Sequence, residues 1–344
     1  MERKKIFNPS GNDSLQERKV LSGNVTNIFN LNNAKYSWAN KLYRVMMENF
    51  WIPEKISLAD DARQYANLTL AEKKAYDGIV SFLTFLDSIQ TNNIPNINNY
   101  VTAPEINLVL AIQTYQEAIH SQSYAYMIES VIPVDKRDEI YDFWRDDEIL
   151  FERNKYIAQI YQDFVDDSSN KNFARVLIAN FLLEGLYFYN GFIFFYNLAS
   201  RGLMMGSADE IKYINRDELT HCMIFSNMIK EIKREMPDFF DEKMIIDLFE
   251  NAVNQEIRWT NHIIGEGVLG INKSSTEQYT KYLANKRLRE IGMSPIYKKI
   301  LNNPYQHLEK IADVGGEGSA KTNFFESNVS SYNQSSAISG WNDL

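Results

Sequence analysis

Four histidines occur in the 344-residue chain, and two of them close a Glu-x-x-His unit, Glu117-Ala-Ile-His120 and Glu218-Leu-Thr-His221. Three residues along an α-helix turn about 300° and rise about 4.5 Å, so carboxylate and imidazole project from one face toward a single cation. Each unit follows an acid in an apolar setting: Asp87 in Phe82-Leu-Thr-Phe-Leu-Asp87, and Glu184 in Phe181-Leu-Leu-Glu184-Gly-Leu-Tyr. An ionised carboxylate among such neighbours is costly unless it is paired or bound to a cation. The order "acid helix, then Glu-x-x-His helix" therefore runs twice. Four facing helices that supply these groups form the core of a carboxylate-bridged dimetal bundle. The expected ligands are Asp87, Glu117, His120, Glu184, Glu218 and His221. Four carboxylates and two imidazoles make a hard, oxygen-rich set that suits two iron ions, two manganese ions or a mixed Mn/Fe pair. His262 and His307 have no acid at ligand spacing and are expected to be structural or superficial.

Such a site demands an all-α scaffold, and the chain supplies the pattern for one. Proline is scarce, at 8 residues. Helical periodicity and length mark the segments 70–92, 103–131, 136–166, 172–201, 206–235 and 239–264. Thr69 followed by Glu72 forms a capping box at the start of the first, while Pro95 and Pro104 bracket a linker before the second. Few alternating runs are present, so strands are not expected. The stretch from Val176 to Ser200 carries Glu184 as its sole charge. It is long enough to span a bilayer, but a helix apolar all round is also what the centre of a large bundle requires. No second span accompanies it, so a buried core helix and no membrane role are expected.

Outside the helical body, residues 1–35 are rich in Asn, Ser and charge and read as a loosely ordered arm. The helical dimetal domain is expected over 36–312. Residues 313–344 begin as a linker, Val314-Gly-Gly-Glu-Gly-Ser-Ala, and continue as a polar tail. Phe324, Phe325, Tyr332, Ile338, Trp341 and Leu344 punctuate that tail, a composition suited to a segment that orders on a partner. The net charge of −9, with no long basic run, gives no footing for nucleic acid. The single cysteine, Cys222, excludes an internal disulfide or dithiol chemistry and suits a reducing cytoplasm. The first residues lack the apolar core of a signal peptide.

Leu86-Asp87-Ser-Ile-Gln, Glu117-Ala-Ile-His120-Ser-x-Ser-Tyr124 and Arg216-Asp217-Glu218-x-x-His221 resemble the metal-site motifs of the small, radical-generating subunit of class I ribonucleotide reductase. The likeness runs from about Trp38 through the tail. It implies a ferritin-like helical bundle, a homodimer, and a dimetal centre that uses O2 or a reduced oxygen species to make a stored oxidant. The oxidant would pass to the large subunit, which reduces ribonucleoside diphosphates. Tyr124 falls four residues after His120 on the same face; taken alone it also reads as one more core aromatic, and the resemblance implies the radical phenol. Phe188, Phe192 and Ile214 lie at helical spacing from Glu184 and Glu218 and match the family's radical pocket. By the same likeness Trp51 would relay an electron, with Asp217 hydrogen-bonded between Trp51 and His120. In the tail, Tyr332 and Glu326 would move the electron and proton onward, and the last residues would dock on the large subunit. One departure lies between Phe325 and Tyr332, where Glu-Ser-Asn-Val-Ser-Ser stands and related tails often carry more charge. The ligand set alone also fits a self-contained dimetal oxidase or a ferritin-like metal store; the tail separates the first from a reductase subunit, and two metals per chain in a dimer would exclude the second.

Overall fold

In the computed structural model, which describes residues 1–312, eleven helices of seven residues or more follow one another. They are α1 (Ser37–Glu48), α2 (Ala59–Tyr65), α3 (Leu70–Asn98), α4 (Pro104–Val131), α5 (Arg137–Asp146), α6 (Glu148–Asp166), α7 (Asn170–Leu182), α8 (Tyr189–Ser200), α9 (Met205–Glu235), α10 (Glu242–Ile263) and α11 (Lys273–Glu290). Among the described residues no strand forms, and the one ladder contact is an isolated bridge between Leu21 and Val101. The fold is an all-α, ferritin-like bundle.

The capping box forms as expected. The Thr69 hydroxyl accepts from the Glu72 N–H at 3.2 Å, and the Glu72 carboxylate accepts from the Thr69 N–H at 2.9 Å. α3 then runs past its expected end. Pro95 lies inside it rather than opening a linker. A proline at that point removes one ladder bond, but Ile94 and Ile97 on either side are completely buried, and that burial carries the last turn. The single helix expected over 136–166 is two. Asp147 adopts an extended conformation and its carboxylate accepts from the Leu150 N–H at 2.9 Å, so it starts α6 anew.

The apolar stretch is a core element, and the most apolar window of Asn170–Ser200 is entirely buried. It is not one regular helix. Residues Leu183–Tyr187 form a π-helical turn between α7 and α8, centred on Glu184 and Gly185. Such turns are rare and concentrate at functional sites.

The N-terminal arm corrects an expectation. Apart from a 3-10 turn at Leu31–Asn33 it lacks helix, yet it is tied firmly to the body. Val20 and Leu21 are buried, the Val20 N–H donates to Glu235 at 3.0 Å, and the Val20 carbonyl accepts from the Thr102 N–H at 2.8 Å. Arg18 is fully buried against Glu105 at 3.2 Å. The low apolar content hid a segment held by hydrogen bonds and one buried ion pair. Removing one partner of such a pair leaves an uncompensated charge and costs about 3–5 kcal/mol. An Arg18→Met variant should therefore lose stability on that scale in chemical denaturation; an unchanged midpoint would show that the arm does not dock.

Candidate dimetal centre

Four elements supply the six expected ligands. Asp87 comes from α3, Glu117 and His120 from α4, Glu184 from the π turn, and Glu218 and His221 from α9. All six side chains are completely buried. They converge as two overlapping groups, Asp87–Glu117–His120–Glu218 and Glu117–Glu184–Glu218–His221, and within each the ligating atoms lie within 4.8 Å of one another.

The shared residues show how the halves are joined. Nδ1 of His120 lies 3.7 Å from Oε2 of Glu117 and 3.1 Å from Oε1 of Glu218. Nδ1 of His221 lies 3.2 Å from the other oxygen of Glu117 and 3.0 Å from the other oxygen of Glu218. Each of these two glutamates thus presents one oxygen to each half, the geometry of a bridging carboxylate. Asp87, 3.8 Å from His120 Nδ1, and Glu184, 3.4 Å from His221 Nδ1, would complete the halves as terminal ligands.

Whether these residues suit metal can be judged from the polar atoms that have no protein partner. Both oxygens of Asp87, one oxygen each of Glu117, Glu184 and Glu218, and Nδ1 of His120 are buried without a hydrogen bond. Orphaned polar atoms are expensive in a core, and here they are the atoms that face the shared space. The donor set fits two hard divalent cations.

Polar groups behind the ligands hold them. Nε2 of His221 faces Oε1 of Gln116 at 3.0 Å, and Nε2 of His120 faces Oδ2 of Asp217 at 3.5 Å. The same Asp217 oxygen accepts from the Trp51 indole at 2.9 Å, and its other oxygen accepts from Arg216 at 3.2 Å. Partners of this kind fix the tautomer and ring orientation of a ligating histidine. Glu184 is held differently. Its Oε1 accepts from Gln90, from Gln113 at 2.8 Å and from Asn180 at 3.4 Å, leaving Oε2 facing His221. Tyr161 in turn donates to Gln90 at 3.0 Å. These amides escape a search for metal ligands. A signal was available, since Gln113 and Asn180 each stand four residues before one of the candidate ligand carboxylates, on the same helix face.

Tyr124 is completely buried on α4, and its hydroxyl makes no hydrogen bond to protein. Burial, and then the charge of Asp87, push its pKa well above the usual phenol value. Phe188, Phe192 and Ile214 are buried, with the two phenylalanine rings 6.0 Å apart. Trp51 retains 8% exposure and stacks on Tyr213 at 5.2 Å. Cys222 is buried and its thiol is pushed up to about 12 by desolvation, which makes it a packing residue. His262 has a structural partner, Asp147, at 2.7 Å. Glu326, Tyr332 and the docking residues of the tail lie outside the described residues.

With this geometry established, the comparisons with known proteins agree. The family model "Ribonucleotide reductase, small chain" matches residues 28–304. The chain belongs to the ribonucleotide reductase small-chain family. It is 44% identical to the ribonucleoside-diphosphate reductase subunit beta of Treponema pallidum, covering 98% of this chain and 97% of that one. Its identity to the subunit beta of Halalkalibacterium halodurans is 35%, over 100% of this chain and 99% of the relative. A solved structure of the R2 subunit from Clostridium botulinum superposes with a TM-score of 0.87 at 45% identity, covering 91% of this chain and 99% of that one. Family membership makes the protein a subunit of an oxidoreductase and agrees with the metal-binding reading of the six-residue cage.

Protonation of the metal-free cage has a measurable consequence. Although burial opposes it, the carboxylates around His120 and His221 raise both imidazoles well above the ordinary range. Desolvation and neighbouring acids raise Asp87 and Glu218 likewise. Against its own burial, His221 and then His120 draw Glu117 down to about 2. A group with a raised pKa stabilises the fold, or harms it least, while protonated; the contribution fades as pH climbs past its unfolded value. Metal-free protein should therefore lose stability as pH rises through the neutral range. The stability that Glu117 contributes is present above its unfolded pKa and is lost only as pH falls toward 2. Metal must displace the protons, so Mn(II) affinity should rise between pH 6 and 8, and bound metal should flatten the stability profile in thermal melts. A pH-independent affinity would contradict this charge assignment.

Proposed function

We propose that this small subunit generates and stores a one-electron oxidant and delivers it to a large subunit, where ribonucleoside diphosphates are reduced. The observation that carries the reading is a buried phenol, Tyr124, on the helix that supplies two ligands, combined with a hydrogen-bonded string from ligand His120 through Asp217 to Trp51. Family membership supports it. Bound to the six ligands, two iron or manganese ions would supply the oxidising power, drawn from O2 or a reduced oxygen species.

The chain's own residues account for the remainder. Tyr124 gives up an electron, and its phenolic proton leaves with it because the phenol is too weak an acid in this setting to ionise first. Asp87, whose charge already acts on the phenol, is the base that receives the proton. Phe188, Phe192 and Ile214 form the apolar surroundings that keep water and reductants from the stored radical. Trp51 carries the oxidant outward, its indole N–H fixed by Asp217 and its ring stacked on Tyr213. Tyr332 and Glu326 take electron and proton to the partner, and Ile338, Trp341 and Leu344 anchor the tail there. The working form is a cytoplasmic homodimer. The division of labour fits Cys222, since nucleotide reduction needs a thiol pair that this chain does not hold.

A Tyr124→Phe variant should bind two metals normally yet lose the sharp tyrosyl-radical absorption and its paramagnetic resonance signal. Undiminished turnover with the large subunit in that variant would rule out the tyrosyl form of the proposal. Deleting residues 320–344 should leave the metal site and the radical intact and abolish turnover with the large subunit. A self-contained oxidase would hardly notice that deletion.

A further inference from the structure

The π turn that carries Glu184 is gripped by two buried arginines whose roles the chemistry above does not explain. Nε of Arg287, on α11, donates to the carbonyl of Gly185 at 3.0 Å. Its NH2 group donates to the Tyr189 hydroxyl at 2.9 Å, and its NH1 group pairs with both oxygens of Glu290 at 2.9 Å. The NH2 group of Arg153, on α6, donates to the carbonyl of Tyr187 at 2.8 Å. Arg153 is itself held by Oε2 of Glu256 at 2.9 and 2.7 Å, while Asn190 donates to the other Glu256 oxygen at 3.1 Å. Both arginines retain only 2% exposure.

A π turn spaces its ladder at i→i+5, a weaker arrangement than the α-helix around it, and it persists where other groups support it. Here two carbonyls of that turn receive charged donors, which form stronger bonds than neutral amides. Gly185 makes one approach possible, since a Cβ there would come within 2.6 Å of Nε of Arg287. The Arg153 guanidinium also lies over the rings of Phe82 at 4.5 Å and Tyr187 at 4.6 Å, so it touches both the ligand-bearing α3 and the π turn.

We infer that Arg153 and Arg287 are positioning residues that hold the π turn in the register that aims Glu184 Oε2 at the His221 half of the site. The inference rests on the dimetal reading. In an unsupported turn the regular α-helix is the alternative, and reverting to it would rotate Glu184 away from His221 while leaving Asp87 and His120 in place. The brace thus governs one metal position rather than both.

Metal-free full-length protein titrated with Mn(II) alone, with free ion followed by paramagnetic resonance, tests the inference. Wild type should take up two ions per chain. Arg287→Met should keep one ion at the wild-type affinity and bind the second about 10- to 100-fold more weakly, the pattern expected of Glu184→Ala as well. Arg287→Lys, which retains a charged donor, should recover part of the loss. If Arg287→Met does not fold, Arg287→Gln and the paired change Arg153→Met with Glu256→Gln are read by the same titration with the same selective loss expected. Two wild-type affinities in a folded variant would overturn the brace, as would equal weakening of both ions, the mark of a general structural defect. Failure of wild type to bind two ions would instead reject the dimetal reading itself.

Discussion

Four carboxylates and two imidazoles sit in a core from which water is excluded, and everything else in the structure answers to that. An ion of carboxylate size loses several kcal/mol on leaving water even after relaxation, so four together are untenable unless positive charge stands among them. Two divalent cations balance four carboxylates. Without them the cage can only recruit protons, as the raised pKa values of Asp87, Glu218 and both histidines show. The buried faces of the long helices around the site are what make this charge concentration chemically potent, because the low local dielectric strengthens each interaction inside it.

The same constraint explains the asymmetry of the supporting groups. The His120 half leads through Asp217 to Trp51 and so toward the surface. The His221 half ends in neutral amides: Gln116 on the imidazole, and Gln90, Gln113 and Asn180 on Glu184. Amides orient a ligand without adding charge and offer no redox route. The π turn belongs to the His221 half, and its position on the chain would place Glu184 differently in a regular helix.

Several of these features were legible in the residues alone. Glu-x-x-His at helical spacing, twice, with a buried acid before each, was enough to name six residues that the fold brings together. The capping box at Thr69 and the buried character of the 176–200 stretch follow equally from local pattern. Helix ends and interruptions did not. Pro95 continues a helix because of what Ile94 and Ile97 pack against. Asp147 breaks one because its side chain caps the next, and the same carboxylate bonds His262, far along the chain. Polar composition made residues 1–35 look loose, when Arg18 in fact finds Glu105 in α4.

The sequence by itself determined the all-α class and which six side chains would converge, because a helix converts spacing of three and four residues directly into a shared face. It could not determine which carboxylates would bridge two ions. That required the approach of α4 to α9, which alone places the two oxygens of Glu117 and of Glu218 toward different histidines. Nor could it reveal the π turn or the arginines on it, since Arg153 and Arg287 lie 34 and 102 residues from the carbonyls they hold. Contacts of that range carry no periodic signature, and only the folded chain creates them.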